Sequence, residues 1–387
     1  MPSPVERLPL TPIRALTSIV PACLCQLLMA VLVITPGTRY YRLALLPVAL
    51  YAAFKAATTC DHSNGDPAQA FHNFGQCLGM LMTAMRMLEW ASLSEPLQRP
   101  PNGRRVLVDA LDLMTNMRGI GWSWSKHTPV PPETRPTSGK SVFLCATLLR
   151  LLKCIVVYDV LDSLIRLIAP PGVATPAGGS IYDLSRPPLS RYAHSSLITF
   201  IYGGVFYFSM EIAYYAATLA ALCTPGLRQQ PSDWPTYSRD PWRATSIADF
   251  WGHRWHQTLR RSFTVLTRPL RKVLGRPGAV AGAFFLSGVL HDWCMWGMGK
   301  GTDFTRTGGF FMAMALGVVL EELWERFTGR RIDGLAGWLW TMGWLTAWGN
   351  LLVDAWMRTG LGGGEIFPQW FPRPGRVLSS LILHASS

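Results

Sequence analysis

Eight apolar runs recur along this chain, near 16–35, 41–57, 74–91, 141–169, 195–224, 278–298, 308–326 and 334–357. A helix rises 1.5 Å per residue, so a run of about 20 apolar residues crosses a hydrocarbon core about 30 Å thick. The second run is short and the fourth over-long for a single crossing. The pattern predicts an all-α polytopic membrane protein of about eight transmembrane helices, folded as one integral membrane domain over 1–387. Hydrophobic residues make up 49% of the 387 positions and charged ones 15%, against about 25% charged in soluble domains. No internal repeat, heptad run or low-complexity tract interrupts the pattern.

The polar segments carry the net charge of +13. Loop 92–140 holds Arg99, Arg104, Arg105, Arg118, Lys126, Arg135 and Lys140. Loop 225–277 holds Arg228, Arg239, Arg243, Arg254, Arg260, Arg261, Arg268, Arg271, Lys272 and Arg276. Two runs separate these loops, so both can face the cytosol, as the positive-inside bias requires. The connections 58–73 (with Asp61 and Asp66) and 170–194 are poor in Lys and Arg, which suits the opposite side and places both termini there. Membrane topology thus accounts for the basic charge. No basic patch interleaved with aromatics marks a soluble module, so nucleic acid is not an expected partner. The first run lacks a charged leader and a small-residue cleavage site, and reads as a retained signal anchor. The Pro-rich residues 1–15 before it are expected at a membrane surface.

The eight cysteines lie mostly inside apolar runs and form no C-x-x-C pair, so neither a disulfide framework nor a zinc site is expected. Metal is not part of the reading. No G-x-S-x-G, H-E-x-x-H or Walker A pattern is present.

Two segments carry candidate chemistry. His291, in Phe285-Leu-Ser-Gly-Val-Leu-His291, lies about 18 Å along a helix beginning near Ala279. An ionisable residue at that depth is costly and is a functional candidate by default. Neutral imidazole accepts a proton, which suits a general base. Ser287 sits at i−4 on the same face, and Gly288 lets another backbone approach closely. Asp292 points about 100° away and is not an automatic partner. A structural histidine bonded to a neighbouring helix is the alternative.

The second segment is Asp249-Phe-Trp-Gly-His-Arg-Trp-His-Gln257. Read as a helix, it puts Gly252, His256 and Arg260 on one face at i, i+4, i+8. Basic and aromatic residues together suit an anionic, adenine-bearing ligand such as a CoA thioester. An interfacial amphipathic helix, with Trp in the headgroup layer, competes with that reading.

Weaker features follow. Asn116-Met-Arg-Gly-Ile-Gly-Trp122 reads as a nucleotide-pocket wall or a plain turn. Asp162 and Arg166 read as a structural i, i+4 ion pair beside Asp159. Glu211 stands isolated in its run, where a polar cavity would suit it. Trp338, Trp340, Trp344 and Trp348 read as a packing or lipid-belt face rather than a ligand site. Glu321 and Glu322 read as helix-end residues without function.

The pair F-W-x-x-R-W-[HN] and S-G-x-x-H, in that order, resembles the membrane-bound O-acyltransferases of the wax-synthase-like branch. The resemblance covers mainly 110–300 and is strongest at 249–261 and 284–291; His253 stands where Arg is more usual. It implies a multi-helix fold with a central acyl-CoA tunnel, in which His291 corresponds to the catalytic histidine. His256 corresponds to the second His-or-Asn position. Trp251, Arg254, Trp255, Gln257, Arg260 and Ser287 are the expected acyl-donor contacts. The wording of the two motifs is similar to fungal members that acetylate terpenoid and meroterpenoid hydroxyls in secondary metabolism. The implied co-substrate is therefore acyl-CoA, acetyl-CoA in particular, with no permanently bound cofactor. The partners are a lipophilic alcohol and membrane lipid, and the implied residence is the endoplasmic reticulum. A long-chain wax-ester or sterol-ester synthase is the alternative within the class. A non-enzymatic transporter or lipid-binding protein is the alternative outside it, disfavoured by the lack of repeat symmetry.

Overall fold

A computed structural model describes residues 7–100, 106–125, 128–224, 229–368 and 370–386. Arg104, Arg105, Lys126 and Arg228 of the basic loops lie outside the described residues, as do the first six positions. The regular structure of the described residues is helical apart from a two-residue parallel pair, Leu8–Pro9 with Cys60–Asp61.

Each of the eight apolar runs contains a helix. In chain order they are α1 (Pro12–Ile34), α2 (Arg39–Thr58) and α3 (Phe71–Ser92). After α4 (Val106–Thr115), inside the first basic loop, come α5 (Lys140–Ile168) and α6 (Pro188–Cys223). The second basic loop holds the single turn α7 (Ile247–Asp249) and α8 (Arg260–Leu266). Then follow α9 (Arg268–Gly297), α10 (Phe304–Thr328), α11 (Gly334–Arg358) and the C-terminal α12 (Pro374–Ser386). Five of these, α1, α5, α6, α9 and α10, are long and apolar enough to cross a membrane. The sixth run differs from expectation at its start. Its helix begins at Arg268 and breaks at Gly275, whose φ of 66° and ψ of −157° suit only glycine. Pro277, two residues on, has no N–H to continue the ladder.

The chain divides into two compact units. The first comprises Met1–Thr128 and Thr258–Val319. In it α1, α2 and α3 pack on one another, and α3 also lies against α8 and α9. The alanine row of α2 (Ala49, Ala52, Ala53, Ala56, Ala57) is buried, since small side chains let helix backbones approach. The core gathers Met29, Val33, Met87, Trp90, Leu113 and Trp122. Arg42 donates to the carbonyls of Trp90 and Leu93, satisfying the C-terminal end of α3. Gly297 is where α9 meets α3: a Cβ there would lie 2.5 Å from Cys77 Sγ.

The second unit comprises Pro129–Gln257 and Leu320–Ser387. Here α6 packs on α5 and α11, and α12 on α5. The expected Asp162–Arg166 pair is present at 3.1 Å. Arg373, which sequence reading did not connect to it, donates to Asp159 at 2.9 Å and Asp162 at 2.8 Å. Gly375 N adds a bond to Asp159 at 2.7 Å, so both carboxylates of α5 take a partner from the chain's far end.

Candidate functional site

His291 lies in the first unit, on the fifth turn of α9 counted from the Gly275 break. Its Nδ1 is 2.7 Å from the Ser287 carbonyl oxygen. A carbonyl can only accept, so Nδ1 carries the hydrogen, and in the neutral ring Nε2 is the basic nitrogen. The ring lies over Phe311, with centroids 4.7 Å apart. Ser287 is buried. A Cβ at Gly288 would stand 3.1 Å from Gly308 Cα, so α9 and α10 run backbone to backbone there, as the glycine led one to expect. Asp292 turns away from the histidine and accepts the Asp303 N–H at 2.8 Å, fixing the entry to α10. Phe311 on one side and the Ser287 carbonyl on the other thus hold the imidazole in one orientation and tautomer.

The aromatic segment lies in the second unit and is not the helix that sequence reading supposed. Ser246 caps it, its Oγ accepting the Asp249 N–H at 2.9 Å. After α7, residues Phe250–Arg254 form a single π turn, and Trp255 is extended at φ −66°, ψ 159°. Gly252, His256 and Arg260 therefore do not share a helical face, because the helix ends between the first two. The Gln257 amide closes the turn, donating to the carbonyls of Trp255 (2.6 Å) and Trp251 (3.2 Å). Both bonds run to the turn's own backbone. Arg254 pairs with Asp249. Trp255 stacks on Phe250 at 5.3 Å, with Trp251 edge-on to both. His256 stacks on Tyr237, centroids 5.7 Å apart, and Tyr237 stacks in turn on Tyr214 at 4.8 Å.

The structure thus brings Trp251, Arg254, Trp255, His256 and Gln257 together in one turn of the second unit. Ser287 joins His291 in the first unit, where Arg260 opens α8 as an exposed residue. A π turn is an uncommon device that inserts a residue into the helical ladder and re-aims side chains, frequently at functional sites.

Sequence reading missed what holds the turn down. Glu321, dismissed as a helix-end acid, is buried. Its carboxylate accepts the N–H groups of Ile247 (2.5 Å) and Ala248 (3.0 Å) and the Trp340 indole N–H (2.9 Å). Trp338 donates to the Trp242 carbonyl at 2.8 Å. The tryptophan row of α11 is therefore partly a clamp, while Trp340, Trp344 and Trp348 also lie against one another at a tilt along one face. The available signal was an acid in an apolar run, which calls for partners. Asn116–Trp122 is a closed turn. The Asn116 side chain brackets Ile120 through bonds of 2.9 Å to its N–H and carbonyl, and the Trp122 indole donates to Asp112 at 2.7 Å.

Comparison with known proteins agrees with the motifs. Residues 234–313 match the membrane bound O-acyl transferase family. An acetyltransferase of Arthrinium sp is 26% identical over 87% of this chain and 86% of its own length. An acetyltransferase of Rhodocybe pseudopiperita is 28% identical over 65% of this chain and 66% of its own. A long-chain-alcohol O-fatty-acyltransferase of Simmondsia chinensis is 29% identical over 35% of this chain and 40% of its own. The matched stretch takes in both the π turn and His291, and there the chain is similar to the membrane bound O-acyl transferase family.

Proposed function

We propose that this enzyme transfers an acetyl group from acetyl-CoA to the hydroxyl of a lipophilic terpenoid or meroterpenoid alcohol, with His291 as general base. The observation that carries the role of His291 is its Nδ1 bond to the Ser287 carbonyl. That bond fixes the tautomer and turns the lone pair onto Nε2, the nitrogen that would accept the hydroxyl proton. The oxygen then attacks the thioester carbonyl, a tetrahedral oxyanion forms, and its collapse releases CoA thiolate, which takes up a proton to leave as free CoA. Histidine needs no covalent acyl intermediate in this scheme. His256, held by the Tyr237–Tyr214 stack, is the proposed second functional histidine, for donor orientation or oxyanion stabilisation. Trp251, Arg254, Trp255 and Arg260 are the proposed donor contacts, with Ser287 supporting the base. Acetyl rather than longer-chain transfer draws support from the Arthrinium and Rhodocybe relatives. The Simmondsia relative keeps long-chain transfer as the second reading. The acyl-CoA tunnel and residence in the endoplasmic reticulum come with the family likeness.

The test offers microsomes a pool of hydroxylated terpenoids with labelled acetyl-CoA or palmitoyl-CoA and follows the label by mass spectrometry. Wild type is expected to make an acetyl ester, and His291→Ala to make it about 10²–10⁴ more slowly. A palmitoyl ester in place of the acetyl one moves the enzyme to the long-chain branch. An unchanged rate in His291→Ala overturns the assignment of the base.

A further inference from the structure

The C-terminal end of α3 and the N-terminal end of α8 bury an excess of positive charge within the first unit. Arg86 is 1% exposed and reaches Glu89 at 3.3 Å. Arg261 pairs with the same carboxylate, and Ser262 Oγ donates to it at 3.3 Å. One carboxylate therefore serves two guanidinium groups, leaving one positive charge over. The Trp124 ring lies between them, 4.2 Å from the Arg261 guanidinium carbon and 5.2 Å from that of Arg86. The face of an indole eases a cation but does not neutralise it.

The donors tell the same story. Arg86 Nε and Nη2, Trp90 Nε1 and Trp124 Nε1 are buried and have no hydrogen-bond partner among the described residues. Four unpaired N–H sites beside a surplus cation is an expensive arrangement. Buried groups left unpaired in a native fold call for an explanation, and a bound anion supplies one. The cluster opens to the surface where Arg261 and Trp124 remain partly exposed. Paired guanidinium groups backed by indole N–H donors suit the several acceptor oxygens of a phosphate.

We propose that Arg86, Arg261 and Trp124 form a phosphate-binding site. Its occupant is a phosphate of the CoA moiety of the acyl donor, an identification that rests on the O-acyltransferase reading. A phospholipid headgroup offers the same chemistry, and the test separates the two.

The full-length protein in detergent is titrated with acetyl-CoA and with S-acetylpantetheine, which lacks every phosphate. Arg261→Gln is the first variant, because Arg261 sits at the rim. Arg261→Lys is its conservative partner, and Trp124→Phe removes one N–H while keeping a ring. Arg261→Gln is expected to weaken acetyl-CoA binding at least about tenfold, the loss of one charge-assisted contact. Acetylpantetheine binding stays unchanged, Arg261→Lys recovers part of the loss, and Trp124→Phe weakens acetyl-CoA binding a few-fold. Equal loss for both donors marks a structural role and overturns the site, as does unchanged acetyl-CoA affinity in Arg261→Gln. In a parallel arm, phosphatidate in nanodiscs that binds wild type but not Arg261→Gln, with acetyl-CoA affinity unaffected, reassigns the occupant to lipid. Binding is read separately from turnover. Loss of acyl transfer with intact Arg261-dependent binding counts against the reaction, and normal turnover with Arg261-independent binding counts against the site.

Discussion

Removing the Glu321 carboxylate should loosen the turn that carries His256, by an amount the geometry sets. Three N–H groups converge on that carboxylate, those of Ile247 and Trp340 on Oε1 and that of Ala248 on Oε2. Stranding a buried donor costs about 1–3 kcal/mol. Ala248 and Trp340 are only part-buried, so water recovers some of this, and Glu321→Ala should cost about 3 kcal/mol. Glu321→Gln keeps one acceptor oxygen for the two donors now on Oε1. It sets an amide NH2 against the Ala248 N–H, costing about 1–2 kcal/mol. Trp340→Phe should cost about 1 kcal/mol with Glu321 present and close to nothing in the Glu321→Ala background, since the shared bond is already gone.

The assay is thermal unfolding in detergent, followed by a thiol-reactive dye. In a background with the other cysteines replaced by serine, Cys154, free and buried in the second unit, reports opening there. The expected order of stability is wild type, Glu321→Gln, then Glu321→Ala, with acyl transfer falling in step. If Glu321→Ala melts with wild type, or if Trp340→Phe costs the same in both backgrounds, the clamp does not exist as described.

Two further outcomes follow from the same structure. Arg373→Met leaves Asp159 and Asp162 buried with a partner lost, which should cost about 3–5 kcal/mol; Asp159→Asn added to it should recover part of the loss in the same melt. Asp61 organises the α2–α3 connection: burial alone would raise its carboxyl, but bonds from the Ser63 and Asn73 side chains and the Ser63 and Gly65 N–H groups outweigh that and hold it at about 2. With the folded value depressed below the unfolded one, near 3.9, the contribution of Asp61 is full above about pH 4 and is lost as pH falls towards about 2. Asp61→Asn should therefore flatten the acid limb of stability between those values, and an acid limb identical to wild type would refute the assignment.

Why some of this was legible in the residues and some was not comes down to the range of each interaction. A bilayer-length apolar run declares its helix locally, and all eight runs contain one. Their lengths slipped where the signal is polar: α9 starts ten residues earlier than the apolar run, because Arg268–Arg276 is basic yet helical up to Gly275. The close approach at Gly288 was legible because a missing Cβ is a local fact with one steric consequence. The turn at Phe250–Arg254 was misread as plain helix, since nothing in the spacing of F-W-G-H-R-W-H-Q marks a π turn. What sets it is a cap at Ser246, the Gln257 amide folding back, and Glu321 arriving from 74 positions away. Arg373 stands 214 positions from Asp159, and Arg261 stands 172 from Glu89. A single sequence shows that a buried charge must be paired but not with what. Glu321, set aside as a helix-end residue, and Arg86 and Arg373, which carry no signal of their own in the sequence, are therefore where the structure adds most. In each case the cost of burying charge in an apolar surrounding is what made a partner necessary.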